Sequence, residues 1–153
     1  MRLRPPAPLG AAPPASRQVR TIAGLFCLGL LAVLSLAAWL TPAVAGFGTH
    51  RQLGLAPCNW AQAFGRPCAT CGMTTAFASA ANLDFRASFL AQPLGMLLAV
   101  LAATAVWPLG YIALTGSNLG TVLLRLANGK TAAGFVLLLV LAWAYKVITW
   151  PTH

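Results

Sequence analysis

At 153 residues the chain is long enough for one domain, yet 59% of it is hydrophobic, only 7% is charged and the mean hydropathy is +0.78. That balance lies outside the range of soluble globular domains and makes lipid the expected solvent. Ten Lys and Arg stand against one acid, Asp84, for a net charge of +9. The positives are scattered between apolar runs rather than gathered in a groove, which argues for topology signals and attraction to anionic headgroups and against a nucleic-acid partner.

Residues 1–20 hold five prolines and four arginines, a composition that buries too little apolar surface to offset ordering entropy and predicts a disordered basic tail. Residues 21–40 carry no charge and run to the length that crosses a hydrocarbon core, predicting a first transmembrane helix. The small residues Ala43-Val44-Ala45 after it imitate a signal-cleavage site, but the apolar run is too long for a signal core.

No charge falls between Arg86 and Arg125, a stretch too long for one crossing. Pro93 suits a helix start and the Thr115-Gly116-Ser117-Asn118 cluster suits its end, so the second span is predicted over 93–114, with Pro108 inside it as a kink. A loop over 115–130 and a third span over 131–150 follow. Lys146 is expected to lay its stem along the third span while its ammonium reaches the headgroups, and Trp143, Tyr145 and Trp150 are expected to form an interfacial aromatic belt. With the N-terminus inside, the tail and the 115–130 loop hold six Lys and Arg against four on the other side, which places the first loop, residues 41–92, outside. Gly116-x-x-x-Gly120 falls in a turn and makes a weak dimerisation face.

The chemistry lies in that first loop, in Cys58-Asn59-Trp60 and then Cys68-Ala69-Thr70-Cys71-Gly72-Met73-Thr74-Thr75. After Cys71 the periodicity predicts a short amphipathic helix lying at the interface, with Met73, Phe77, Ala80 and Ala81 on one face and Thr75, Ser79 and Asn82 on the other. Asp84 is placed to cap a further helix through Arg86 to Ala91. A Cys-x-x-Cys opening a helix sets its first sulfur near unpaired N–H groups, which favour a thiolate. Three uses of the cysteines stay open. A disulfide from Cys58 to Cys68 or Cys71 would staple the loop; Cys68 and Cys71 could cycle in thiol–disulfide exchange with Cys58 as resolving partner; or Cys58, Cys68 and Cys71, completed by His50, could hold zinc. Cys27 lies within the first span and reads as packing.

These residues carry a resemblance: a lone cysteine, a Cys-x-x-Cys-Gly-x-Thr element around Gly72 and Thr74, an Asp-Phe pair at Asp84, then Pro93 leading into a span. The chain resembles the bacterial membrane-protein family catalogued as domain of unknown function 2752 over roughly residues 58–95. It departs from that family's pattern at Ala69 (for Pro), Thr75 (for Arg), Leu83 (for Gly) and Gln92 (for Asn). The resemblance implies a bacterial membrane protein and carries over no activity; in the inner membrane, the Lys and Arg count then sets a cytoplasmic N-terminus and a periplasmic first loop.

The expected protein is therefore all-α and polytopic, with three transmembrane helices and a short interfacial helix in the first loop. With no nucleotide-binding glycine loop and no nucleophile–base pair, no catalytic residues are assigned and the chain reads as a non-enzymatic accessory or interaction protein, the alternative being a membrane thiol–disulfide oxidoreductase using Cys68 and Cys71. Its expected partners are the bilayer and either another membrane protein or further copies of itself. No cofactor is demanded, with zinc the one ion the cysteines admit. The absence of an acid within the spans speaks against a transporter.

Overall fold

The computed structural model describes residues 15–117 and 128–150; most of the expected tail, most of the 115–130 loop and His153 lie outside the described residues. All described regular structure is helical. Three helices are long and apolar enough to cross a membrane: α1 (Arg17–Trp39), α5 (Pro93–Thr115) and α6 (Gly129–Ile148). Between the first two come a 3-10 turn (Thr49–Leu53), α2 (Asn59–Phe64), α3 (Met73–Ala81) and α4 (Phe85–Ala91). No more than 17% of the apolar window of any long helix is buried within the protein, so most of their Leu, Val and Phe side chains face outward, as a lipid-solvated protein requires.

α1 begins at Arg17, before the expected residue 21, because Ser16 caps it by accepting from the Val19 N–H at 3.4 Å. Arg20 then spends its guanidinium on α5, donating from Nε to the Ala113 carbonyl at 3.1 Å and from Nη2 to the Leu114 carbonyl at 2.9 Å. Those carbonyls belong to the last turn of a helix, where partners are lacking and a cation is favoured. The contact fixes α1 and α5 as an antiparallel pair. Deeper in the pair Cys27 donates its S–H to the Val106 carbonyl at 3.6 Å, and α5 continues helically through Pro108 to its left-handed cap at Gly116.

α6 starts at Gly129 because Asn128 and Thr131 form a reciprocal capping box. Along its length only Ala142 and Lys146 are buried. It joins the rest of the molecule mainly at its C-terminal end, where Tyr145 meets Phe89 at 6.1 Å between ring centroids and, just beyond the helix, Trp150 meets Phe47 at 4.5 Å.

α3 differs from expectation in its surroundings. It is packed among α1, α4, α5 and the 3-10 turn, and two of the three residues on its polar face turn inward: Thr75 is 2% and Ser79 1% exposed, while Asn82 stays exposed. The reason is size. Ala76, Ala78 and Ala80 are buried too, so the helix is slim enough to fit between its neighbours, and the polar groups find partners within. Thr75 shares a hydrogen bond of 2.8 Å with Thr49, whose hydroxyl also receives the Ala43 N–H at 3.0 Å, and Ser88 of α4 donates to the Ala76 carbonyl at 2.7 Å. Gly95 permits the approach of α5, since a Cβ there would sit 2.7 Å from the Ala76 Cβ.

Candidate functional site: a three-thiol cavity

The chain reverses by tight turns ahead of α3. The Cys71 N–H bonds to the Cys68 carbonyl and the Met73 N–H to the Thr70 carbonyl, each at 3.0 Å. Gly72 caps α3 with a φ of 90°, a left-handed conformation that costs a glycine least. The cysteines therefore precede the helix rather than occupy its first turn, which corrects the expectation that the helix N-terminus activates Cys68.

The turns bring Cys58, Cys68 and Cys71 together: their sulfurs all lie within 4.8 Å of one another, and those of Cys58 and Cys68 are 3.5 Å apart. All four cysteines of the chain are free thiols in the structure. The three loop sulfurs line a cavity of about 260 Å³ together with His50, Thr70, Gly72 and Thr74. Cys71 is buried at 8% exposure, while Cys58 and Cys68 are partly accessible.

The thiols differ electrostatically. Burial opposes ionisation of Cys68 but is outweighed by hydrogen bonds from the Thr70 side chain, Cys58, the Thr70 N–H and Cys71, so its pKa falls below the usual value. Burial pushes Cys71 up to about 11, aided by the charges its two neighbours would carry and opposed by the positive charge of Lys146.

Of the residues singled out in the sequence, His50, Cys58, Cys68, Cys71, Gly72 and Thr74 line this one cavity. The His50 ring is not part of the sulfur cluster, because its Nε2 is held by the Ala56 carbonyl at 3.2 Å. Asp84 and Pro93 serve helix starts: Asp84 Oδ1 accepts from the Ala87 N–H at 2.8 Å, and Pro93 opens α5.

The sequence reading missed three residues at the site. Gln92, buried completely, donates from Nε2 to the carbonyl of Ala69 inside the Cys-x-x-Cys turn at 2.9 Å, so two of the departures from the family pattern touch. Trp143, expected in an aromatic belt, donates from its Nε1 to the Pro67 carbonyl at 3.1 Å. Lys146 does not reach for headgroups. It is 5% exposed, and its Nζ donates to the Ala91 carbonyl at 2.9 Å and the Gly46 carbonyl at 3.3 Å. The same carbonyls enclose Gly72. A lysine near the end of an apolar run ordinarily escapes to water; here two inward-facing carbonyls and the rings of Phe47 and Trp150 hold it.

Three membrane-length helices around a thiol-lined loop define a small polytopic helical membrane protein. Residues 58–107, about a third of the chain, match the family described as protein of unknown function (DUF2752), a match that opens on Cys58 and runs through most of α5. Comparison with curated proteins and with solved structures found no match.

Proposed function

We propose that this chain is a non-enzymatic accessory protein of a bacterial inner membrane whose periplasmic loop is built around a structural zinc ion held by Cys58, Cys68 and Cys71. The observation that carries the reading is the convergence of three sulfurs, from two separated segments, within 4.8 Å of one another on one cavity. Thiolates around a tetrahedral zinc stand roughly 3.8 Å apart, given zinc–sulfur bonds of ~2.3 Å, so the set fits with adjustments of about an ångström. His50 lines the same cavity but stands outside the sulfur cluster, so its ring would have to move to take a fourth position. A carbonyl only accepts, so Nε2 bonded to Ala56 carries the proton and Nδ1 keeps its lone pair. Zinc there would cross-link the two segments of the loop; it would supply no catalytic step, because the chain's one carboxylate caps α4.

The placement of the loop outside is supported by the six-to-four excess of Lys and Arg on the opposite side. The outward apolar faces of α1, α5 and α6 support lipid as one partner and another membrane protein, or a second copy, as another.

The test is metal analysis and intact mass of the full chain purified natively in detergent, with alkylation before and after chelation. About one zinc per chain, with the loop thiols reacting fully only after chelation and zinc lost in Cys58→Ser, Cys68→Ser and Cys71→Ser, supports the reading. A zinc-free chain two mass units lighter than its reduced form overturns it. That outcome would favour thiol–disulfide exchange, for which the contact of the accessible Cys68 with Cys58 at 3.5 Å is the specific support.

A further inference from the structure

Among the described residues Lys146 is the one buried cation, and the sequence offers it almost nothing to neutralise it. The only acid in the chain is Asp84. It lines a wide cavity of about 840 Å³ together with Lys146, but it makes no ion pair there and its Oδ1 is committed to the α4 N-terminus. Around Nζ stand two carbonyl oxygens and, at 5.9 and 5.8 Å, the ring centres of Phe47 and Trp150. Those groups recognise an ammonium without cancelling its charge. Beside those carbonyls runs the cysteine loop. A Cβ at Gly72 would lie 3.3 Å from Nζ, Gly72 follows Cys71 directly, and the Lys146 charge acts on the Cys71 thiol.

We propose that Lys146 is the fixed counter-charge of the metal site, positioned by the Gly46 and Ala91 carbonyls so that a divalent ion bound by three thiolates forms a neutral unit with it. The inference rests on the zinc reading. Zinc with three thiolates carries one net negative charge, and holding that charge against the buried Cys71 is costly unless a single cation accompanies it. Lys146 supplies that cation from a different segment, the end of the third span, so it acts on the ion through the thiolates and is a positioning residue rather than a ligand. The arrangement also selects for charge: a monovalent ion with the same three thiolates would leave one negative charge unmatched.

The experiment compares the full chain in detergent with Lys146→Gln, which keeps donors for the two carbonyls and removes the charge, and with Lys146→Met as a second neutral variant. Trp143→Phe removes the other polar anchor of α6 and leaves the charge, so it reports loosening of the helix alone. Zinc affinity is read by competition with a chromophoric chelator, and the thiolate-to-metal absorption by substitution with cobalt(II). The expected result is a loss of zinc affinity of roughly tenfold or more in both neutral variants, a change within about threefold in Trp143→Phe, and a charge-transfer band displaced to longer wavelength only where the charge is gone. Equal affinity and an unmoved band in a helical Lys146→Gln overturn the inference and leave the zinc reading intact. Equal losses in Lys146→Gln and Trp143→Phe without band displacement also overturn it, assigning Lys146 to packing. A wild-type chain that binds neither zinc nor cobalt instead overturns the zinc reading, and the inference with it.

Discussion

The Trp143 indole donates to the Pro67 carbonyl at 3.1 Å, so the third span holds the backbone immediately before Cys68. A single hydrogen bond of this kind is worth about 1 kcal/mol net, and leaving its partly buried acceptor unpaired costs similarly. Trp143→Phe keeps most of the apolar contact and removes the donor. It should lower the unfolding free energy by about 1 kcal/mol and speed alkylation of Cys68 in the metal-free chain. Thermal unfolding in detergent and timed alkylation with mass readout check both.

Leu83 is the one non-glycine residue with positive φ among the described residues, at 63°, and it stands where the family pattern has glycine. The left-handed region crowds Cβ against the following carbonyl and costs roughly 1–2 kcal/mol. The Leu83 side chain is 78% exposed and returns little of that by burial. Leu83→Gly should therefore raise stability by about 1 kcal/mol, with the extra chain entropy of glycine absorbing the remainder. An unchanged or lowered midpoint of thermal unfolding would show that the leucine makes an apolar contact, with lipid or detergent, that outweighs the strain.

Gly72→Ala should have the opposite sign and a larger size. A Cβ there would stand 2.7 Å from the Ala91 carbonyl oxygen and 2.8 Å from that of Gly46, at a φ of 90°. Both acceptors of Lys146 would have to retreat, so the substitution strains the turn and loosens α6 at once. The expected loss is about 2 kcal/mol or more, accompanied by lower yield of folded chain. Circular dichroism melts of Gly72→Ala beside Gly54→Ala, a left-handed glycine with no neighbour within 4 Å, separate the close approach from the backbone conformation.

The three spans were legible because hydropathy and length determine them almost without reference to neighbours. The cysteines were legible as a set, and Asp84 as a cap, since both are local patterns. What escaped was the direction in which polar groups face. Thr75 and Ser79 share one side of α3, and periodicity alone assigns that side to water; only the packing of α1, α4 and α5 shows that it turns inward to Thr49. Lys146 escaped for the same reason, because the carbonyls that hold it come from residues 100 and 55 positions away. Trp143 is likewise a belt residue by sequence and a loop anchor by contact.

The thiols make a pH prediction for the metal-free, reduced chain. Cys71 ionises at about 11 in the folded state against 9.0 for an ordinary thiol, so between those values the unfolded chain has released a proton that the folded chain still binds. Stability must then fall as pH rises through that window. Cys68 has the opposite shift: its contribution is present above the ordinary thiol value and is lost as pH falls through its lowered one. Unfolding midpoints measured from pH 7 to 11 should thus decline above pH 9. Cys71→Ser should remove that decline, and Cys68→Ser should instead remove a gain at lower pH. A decline that survives in Cys71→Ser would count against burial of Cys71 as its cause.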